Sequence, residues 1–249
     1  MNKKAFLEIE GLDVAFSRWG QTFSALNALD LSVEKGEWVM LIGPNGSGKS
    51  TLLRAISGRV QPERGAVTLL GKDVLKMSTP ERAMNLFHIH QDPLLGTAPV
   101  LTVFENLAVA DYQGKIEREP KHALLKKYTE LLQPLGLSDR MKQPARTLSG
   151  GERQLLALLI ARLRPAPLVL LDEPLAALDP GRAEICLKEL VRLHEQGKTL
   201  IQVTHEEDHA VSLGSRTVAL NEGRVVYDET SSARSADAIR NHWQAHAGV

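Results

Sequence analysis

The sequence predicts an α/β fold, with a strand-rich start and a helical insertion in the middle. Three observations carry this. Trp38-Val39-Met40-Leu41-Ile42 and Leu168-Val169-Leu170-Leu171 are unbroken apolar runs, as expected of strands buried on both faces. The first run feeds a glycine-rich loop and the second ends in two carboxylates. Between them, from about Pro93 to Pro144, the pattern is mostly helical.

The elements follow in order. Residues 5 to about 42 read as strands, with Leu7-Glu8-Ile9-Glu10 and Leu29-Asp30-Leu31-Ser32-Val33 alternating and Glu34-Lys35-Gly36-Glu37 as a turn. A helix is expected from Ser50 to Ser57, closed by Gly58, and a strand from Gly65 to Gly71. The apolar stretch 86–89 precedes Gln91. Ala123-Leu124-Leu125-Lys126-Lys127-Tyr128-Thr129-Glu130-Leu131-Leu132 reads as a helix, with Pro120 suited to the first turn and Gly136 past the end. Leu155-Leu156-Ala157-Leu158-Leu159-Ile160-Ala161 is too apolar for a one-sided surface helix. Strands are expected at 168–171, 200–204 and 218–220, and Asn221-Glu222-Gly223 turns the last into Arg224-Val225-Val226-Tyr227. The last fifteen or so residues are small and polar, and a loosely packed helix is expected there.

At 249 residues the chain can bury a substantial core, as one α/β domain or a domain with a subdomain. It is 43% hydrophobic and 24% charged with zero net charge, which argues against a strongly basic nucleic-acid surface. The single cysteine, Cys186, excludes an intrachain disulfide and fits a reducing compartment. No apolar run approaches the roughly 20 residues needed to span a bilayer. Glu8 and Glu10 interrupt the N-terminal apolar stretch, so no secretory leader is expected. The chain is expected in the cytoplasm, meeting a membrane only through a partner.

Two motifs point to nucleoside triphosphate chemistry. Gly43-Pro44-Asn45-Gly46-Ser47-Gly48-Lys49-Ser50-Thr51 contains the full G-x-x-x-x-G-K-[ST] pattern between a buried strand and a helix. Glycines let backbone N–H groups converge on an anion, and the helix adds its N-terminal dipole. Lys49 is expected on the β and γ phosphates and the Ser50 hydroxyl on Mg²⁺. Asp172 and Glu173 cap the 168–171 strand, where open α/β sheets bind ligands. Asp172 is expected to hold Mg²⁺ through water, and Glu173 to polarise the water attacking the γ-phosphate. An apolar run ending in Asp-Glu is by itself only a solvated strand end, and the cradle gives it its meaning. A third segment, Leu148-Ser149-Gly150-Gly151-Glu152-Arg153-Gln154, precedes a helix. Ser149 with Glu152 three residues on completes a capping box, which leaves two adjacent glycines unexplained. A backbone that must approach a phosphate closely explains them.

In the order of these motifs, the chain resembles over nearly its whole length the nucleotide-binding subunit of ATP-binding-cassette (ABC) transporters. The segment 148–154 is the most family-specific part. The resemblance implies a P-loop NTPase (RecA-like) core with an antiparallel β subdomain and an inserted α-helical subdomain. The core would cover 1–90 and 156–249, and the helical subdomain 91–155. It implies two copies sandwiching two ATP, each between the cradle of one copy and Ser149-Gly150-Gly151, with Glu152, of the other. Gln91 resembles the glutamine that touches Mg²⁺ and relays to the membrane subunit; alone it would be a surface residue. Ala177-Leu178-Asp179 resembles the segment crossing the dimer interface, although Asp179 before Pro180 also suits a helix N-cap. His205 resembles the histidine contacting the γ-phosphate. Phe16 sits where the family carries a ring stacked on adenine, and Trp19 competes for that place.

The segment from Asp92 to Val103 is longer than the commonest family form. It looks like an importer subgroup beside permeases of the branched-chain amino-acid or sugar type, and in the family it meets the permease. Leu155 replaces the arginine usual after Gln154, and Glu152 replaces the commoner glutamine. The resemblance implies ATP and Mg²⁺ as cofactors and a homodimer or paralogous cassette. It also implies separate permease subunits with a solute-binding protein, no nucleic acid, and a peripheral place on the cytoplasmic face of the inner membrane. Two alternatives stand beside the importer: a soluble ATPase acting on ribosomes or nucleic acid, and the ATPase of an exporter or lipoprotein-release system.

Overall fold

The computed structural model describes residues 5–18, 20–112, 119–176, 178–205, 210 and 212–230. Trp19, Ala177 and the expected C-terminal helix lie outside them. Strands β1 (Leu7–Arg18) and β2 (Gln21–Val33) form a hairpin. β3 (Trp38–Ile42) leaves it for a second sheet and feeds helix α1 (Lys49–Ile56). β4 (Arg64–Leu69) and β5 (Lys72–Asp73) return to the first sheet, and α2 (Thr79–Asn85) leads into β6 (Leu86–Ile89). The middle of the chain holds α3 (Val103–Asp111) and α4 (Lys121–Leu132), separated by loops and short 3₁₀ turns from α5 (Gly150–Leu163). β7 (Leu168–Asp172), α6 (Pro180–Glu195), β8 (Thr199–Val203), β9 (Arg216–Asn221) and β10 (Arg224–Thr230) complete the described elements.

The first sheet is antiparallel with order β2-β1-β4-β5, and the second has order β10-β9-β3-β8-β7-β6. In the second, β9-β3-β8-β7-β6 run parallel and β10 is an antiparallel edge. The unbroken apolar runs follow from burial on both faces. Trp38, Met40 and Ile42 of β3 enter one core with α3, α5 and α6, whereas Val39 and Leu41 enter the other with α1 and the antiparallel sheet. β7 divides alike, Val169 and Leu171 against Leu168 and Leu170.

Local signals stop the elements. Gly58 follows α1 at φ +66°, and its N–H bonds the Ala55 carbonyl. Pro120 stands at the N-cap of α4, one place before the first turn expected for it. Glu222 and Gly223, both at positive φ, make the two-residue turn between β9 and β10. Leu155 to Ala161 are all buried, which explains why α5 shows no polar face there. α5 runs unbroken through the 155/156 limit placed between the core and the helical subdomain.

Candidate nucleotide site

Strands β3, β8, β7 and β6 are neighbours in that order, and the residues just past their C-terminal ends meet at one sheet edge. β3 delivers the cradle, β8 His205, β7 Asp172 and Glu173, and β6 Gln91. Residues scattered over more than 160 positions are thus brought together by topology.

In the cradle, the Ser47 N–H donates to the Pro44 carbonyl (3.1 Å). Gly48 caps α1 at φ +103°, where a Cβ would lie 2.5 Å from the Ala25 carbonyl oxygen, so only glycine fits. No side chain caps α1, which leaves its first-turn N–H groups for an anion. Lys49 is buried, and its Nζ donates to the carbonyls of Gly43 (2.5 Å) and Pro44 (2.8 Å). Burial lowers its pKa, against the opposing pull of Glu173 and Asp172. The ammonium is therefore held by two backbone carbonyls of the loop, within electrostatic reach of two carboxylates.

Ser50 Oγ donates to Asp172 Oδ1 at 3.3 Å, uniting the two expected Mg²⁺ ligands from opposite ends of the site. Asp172 is buried, and that burial raises its pKa; Glu173 adds to the rise, while Ser50, Arg54 and Lys49 oppose it. A carboxylate so desolvated fits a cation, which would favour its charged form. Among the described residues no group of three or more His, Cys, Asp or Glu could hold a metal by itself.

The linkage sign gives a prediction. The folded chain holds the Asp172 proton more tightly than the unfolded chain, so ionised Asp172 costs stability, and the cost fades as pH falls through its raised pKa. Nucleotide-free Asp172→Asn should therefore melt higher than the parent at neutral pH, by about 2–4 °C per kcal/mol relieved, with the gap closing in acid. Equal melting curves at neutral pH would mean that the nearby cations offset the burial.

Glu173 has φ +52°, unusual for a side chain with a Cβ, and its N–H bonds the Val203 carbonyl at 3.2 Å. Its Oε1 lies 2.9 Å from His205 Nε2 and its Oε2 accepts from Gln91 Nε2 at 3.3 Å. Against an ionised carboxylate, which only accepts, His205 would present an Nε2–H in this contact. The backbone turn aims Glu173 between two polar side chains, where it can hold a water.

Ser149 and Glu152 form the expected capping box: Ser149 Oγ accepts from Glu152 N (3.3 Å) and Glu152 Oε2 from Ser149 N (2.7 Å). The Ser149 amide holds the Glu152 pKa down. Asp179 caps α6 by accepting from Arg182 N at 3.0 Å, as its position before Pro180 suggested. Arg182, which nothing local in the sequence singles out, ties these parts together. Its Nη1 donates to Ser149 Oγ at 3.1 Å, and its head lies near Asp179 and Glu152. The two glycines differ. A Cβ on Gly151 would meet Arg182 Cδ at 2.8 Å and Leu178 Cδ2 at 3.1 Å, so packing within the chain accounts for it. A Cβ on Gly150 would meet nothing within 4 Å, so the phosphate argument falls to Gly150. Among the described residues no hydrogen bond joins this cluster to the cradle.

Phe16 is 41% exposed near the end of the β1–β2 hairpin, opposite Phe23, which is 54% exposed. Phe23 is thus a second free ring that the sequence reading missed.

Residues 26–176 match the ABC transporter family. The chain is 36% identical over 232 residues to the tyrosine transport ATP-binding protein of Clostridioides difficile, covering 89% of this chain and 91% of that one. It is 36% identical over 211 residues to a spermidine/putrescine import ATP-binding protein of Thermotoga maritima. That match covers 84% of this chain but only 55% of the relative's length. Among solved structures, a dimeric ATP-binding cassette in a post-hydrolysis state with ADP and Pi superposes with a TM-score of 0.79 at 27% identity. The superposition covers 92% of this chain and 99% of that one. With the strand edge, the cradle and the capped glycine pair in place, the chain belongs to the ABC transporter family, as an ATP-binding subunit with the ABC ATPase fold and activity.

Proposed function

We propose that two copies of this chain close around two ATP and drive import of a small solute, such as an amino acid, through separate permease subunits. A paralogous cassette could replace one copy, and a solute-binding protein would deliver the solute. The carrying observation is the contrast between two half-sites. The cradle, Asp172, Glu173, Gln91 and His205 assemble within one chain, whereas Gly150 faces open space beside an exposed Ser149. In this reading residues 91–155 form the helical subdomain that presents Ser149-Gly150-Gly151 to the other copy's ATP, and Asp179 lies at the same interface.

Within each site the amides of residues 46–51 and Lys49 bind the phosphates, and Phe16 stacks on adenine. Ser50, Asp172 and Gln91 would hold Mg²⁺, which supplies charge neutralisation on the β and γ phosphates when bound. Glu173 takes the proton of the attacking water, and His205 and Gln91 orient Glu173.

The permease would sit on the segment following Gln91. A cavity of about 210 Å³ opens there, lined by Phe87, Leu95, Asn106, Val109 and Arg164 among others. Leu95 and Val109 are exposed beside it and would meet a partner helix. Among the described residues no helix is long and apolar enough to cross a membrane. In this reading the pore belongs to other chains, and this chain sits on the cytoplasmic face of the inner membrane. The names of the relatives, import ATP-binding proteins for polyamines and for sulfate among them, support import without choosing a solute.

The test is co-purification from gently solubilised membranes. A polytopic permease should come down with the chain, and adding it should raise the ATPase rate. Recovery with ribosomes or DNA instead would overturn the transport reading.

A further inference from the structure

The geometry points to Asn27, acting through the β9–β10 turn, as a positioning residue for the phosphate cradle. The inference rests on the cradle binding ATP, and adds a group from the antiparallel sheet, outside the strands whose ends carry the chemistry.

The links are short. The Ser47 carbonyl accepts from the Gly223 N–H at 3.0 Å. A trans peptide places its C=O and the next N–H on opposite sides, and the chain has no cis bonds among the described residues. Holding the Ser47 carbonyl toward the turn therefore points the Gly48 N–H away from it, to the side where an anion would lie. The turn is itself held. Asn27 N donates to the Gly223 carbonyl at 3.0 Å, and Asn27 Nδ2 donates to the Glu222 carbonyl at 2.6 Å. Asn27 Oδ1 accepts from Ser24 Oγ at 2.5 Å. Asn27 thus fixes two carbonyls of one turn, Glu222 through its side-chain amide and Gly223 through its backbone N–H, and Ser24 holds the amide oxygen in place.

A bulge makes this possible. The β1–β2 register jumps between Leu12↔Leu29 and Val14↔Leu26. Ala28 lies at φ +43°, and its N–H is held by Asp13 Oδ1 at 2.6 Å. The irregularity releases the Asn27 N–H from the ladder and re-aims it at the turn, a use to which bulges are put beside active sites. The three backbones meet without side chains between them. A Cβ on Gly223 would lie 2.7 Å from the Ala25 carbonyl oxygen, and one on Gly48 2.5 Å from the same atom. Gly223 also sits at φ +75°.

An amide aimed at phosphate binds ground state and transition state alike, so its misplacement should raise KM and spare kcat. In the full chain with MgATP, Asn27→Ala should weaken ATP affinity and raise KM about tenfold with kcat within about twofold. The melting temperature should stay close to that of the parent, and amide exchange should quicken at residues 47–49 and 221–223. Ser24→Ala, which only loosens the Asn27 amide, should move KM the same way by about twofold. Unchanged affinity in both variants overturns the inference, as does a loss of affinity that tracks a falling melting temperature and kcat. Lys49→Ala in the same titration separates the two levels. If it also leaves affinity intact, the cradle reading falls and this inference with it. If it abolishes binding while Asn27→Ala does nothing, only the positioning role falls.

Discussion

Glu173→Gln should stop ATP turnover while ATP stays bound. The substitution keeps the volume and removes the charge. In the parent, Glu173 accepts from Gln91 Nε2 and faces His205 Nε2, so both neighbours present hydrogens to a carboxylate. A glutamine amide has one oxygen for those two donors, and its NH₂ group must face one of them. The side chain would reorient and lose its grip on a water as well as its ability to take a proton. General-base loss is worth about 10²–10⁴ in rate, so kcat should fall about a thousandfold. ATP affinity should hold within a few-fold, because Lys49 and the cradle amides are untouched. The left-handed backbone at Glu173 marks a position where strain of about 1–3 kcal/mol is tolerated to aim a side chain. Since ATP is then bound and not consumed, the closed pair of chains should accumulate and be visible as a dimer by light scattering. A bulky residue at Gly150, where a Cβ meets open space, should abolish that dimer without harming the fold or ATP binding to the single chain. Gly151 is the poorer probe, because a side chain there strikes the chain's own Arg182 and Leu178. Normal turnover in Glu173→Gln would remove Glu173 from the reaction, and a dimer that survives at Gly150 would remove the trans half-site.

What the sequence exposed and what it hid have physical reasons. β3 and β7 were legible because both their faces are buried, leaving no polar alternation to confuse the pattern. The Ser149–Glu152 capping box was legible because a cap is a local event, four residues long. α2 was missed although Ser78 and Pro80 announce it, since none of its residues is buried and no apolar period marks it. The first half of β2 fell within the strands expected from 5 to about 42 but carries no alternation of its own, being mostly exposed. The bulge at Asn27 and Ala28 has no sequence signature, because its partners are Asp13 and a turn almost two hundred residues away. Arg182 likewise acts through contacts that only the packing of α6 against the start of α5 creates. Gln91 was placed by resemblance alone, since one exposed glutamine is an ordinary feature, and His205 by resemblance together with its place past a strand of the same sheet edge. The structure brings both within hydrogen-bond reach of Glu173.

Lys49→Ala should abolish ATP binding, and the loss should exceed that of one hydrogen bond. Two effects act together. The ammonium would no longer meet the phosphates, forfeiting charge-assisted bonds worth about 1.5–3 kcal/mol each. Lys49 is also the cation facing Asp172 and Glu173, both of which draw on it electrostatically. Without it, two carboxylates confront an incoming polyanion with less to offset them. Affinity for ATP should therefore fall by about 100-fold or more, measured by calorimetric titration with Mg²⁺ present. The empty protein should suffer much less. Burial already lowers the lysine pKa, so removing the ammonium relieves a desolvation cost. Against that stand the two carbonyls, Gly43 and Pro44, left without their partner. Lys49→Met, which keeps the stem and drops the charge, separates the terms. If charge is decisive it should bind ATP as poorly as Lys49→Ala, whereas recovery of affinity in the methionine variant would assign the loss to packing of the cradle. Because the lysine and the carboxylates oppose each other, Mg²⁺ should matter more to the variants than to the parent. The ion supplies the positive charge that Lys49 no longer does, so omitting it should cost the methionine variant a larger factor in affinity than it costs the parent. A parent and variant equally sensitive to Mg²⁺ would mean that Lys49 and the Asp172 pair act on the nucleotide independently.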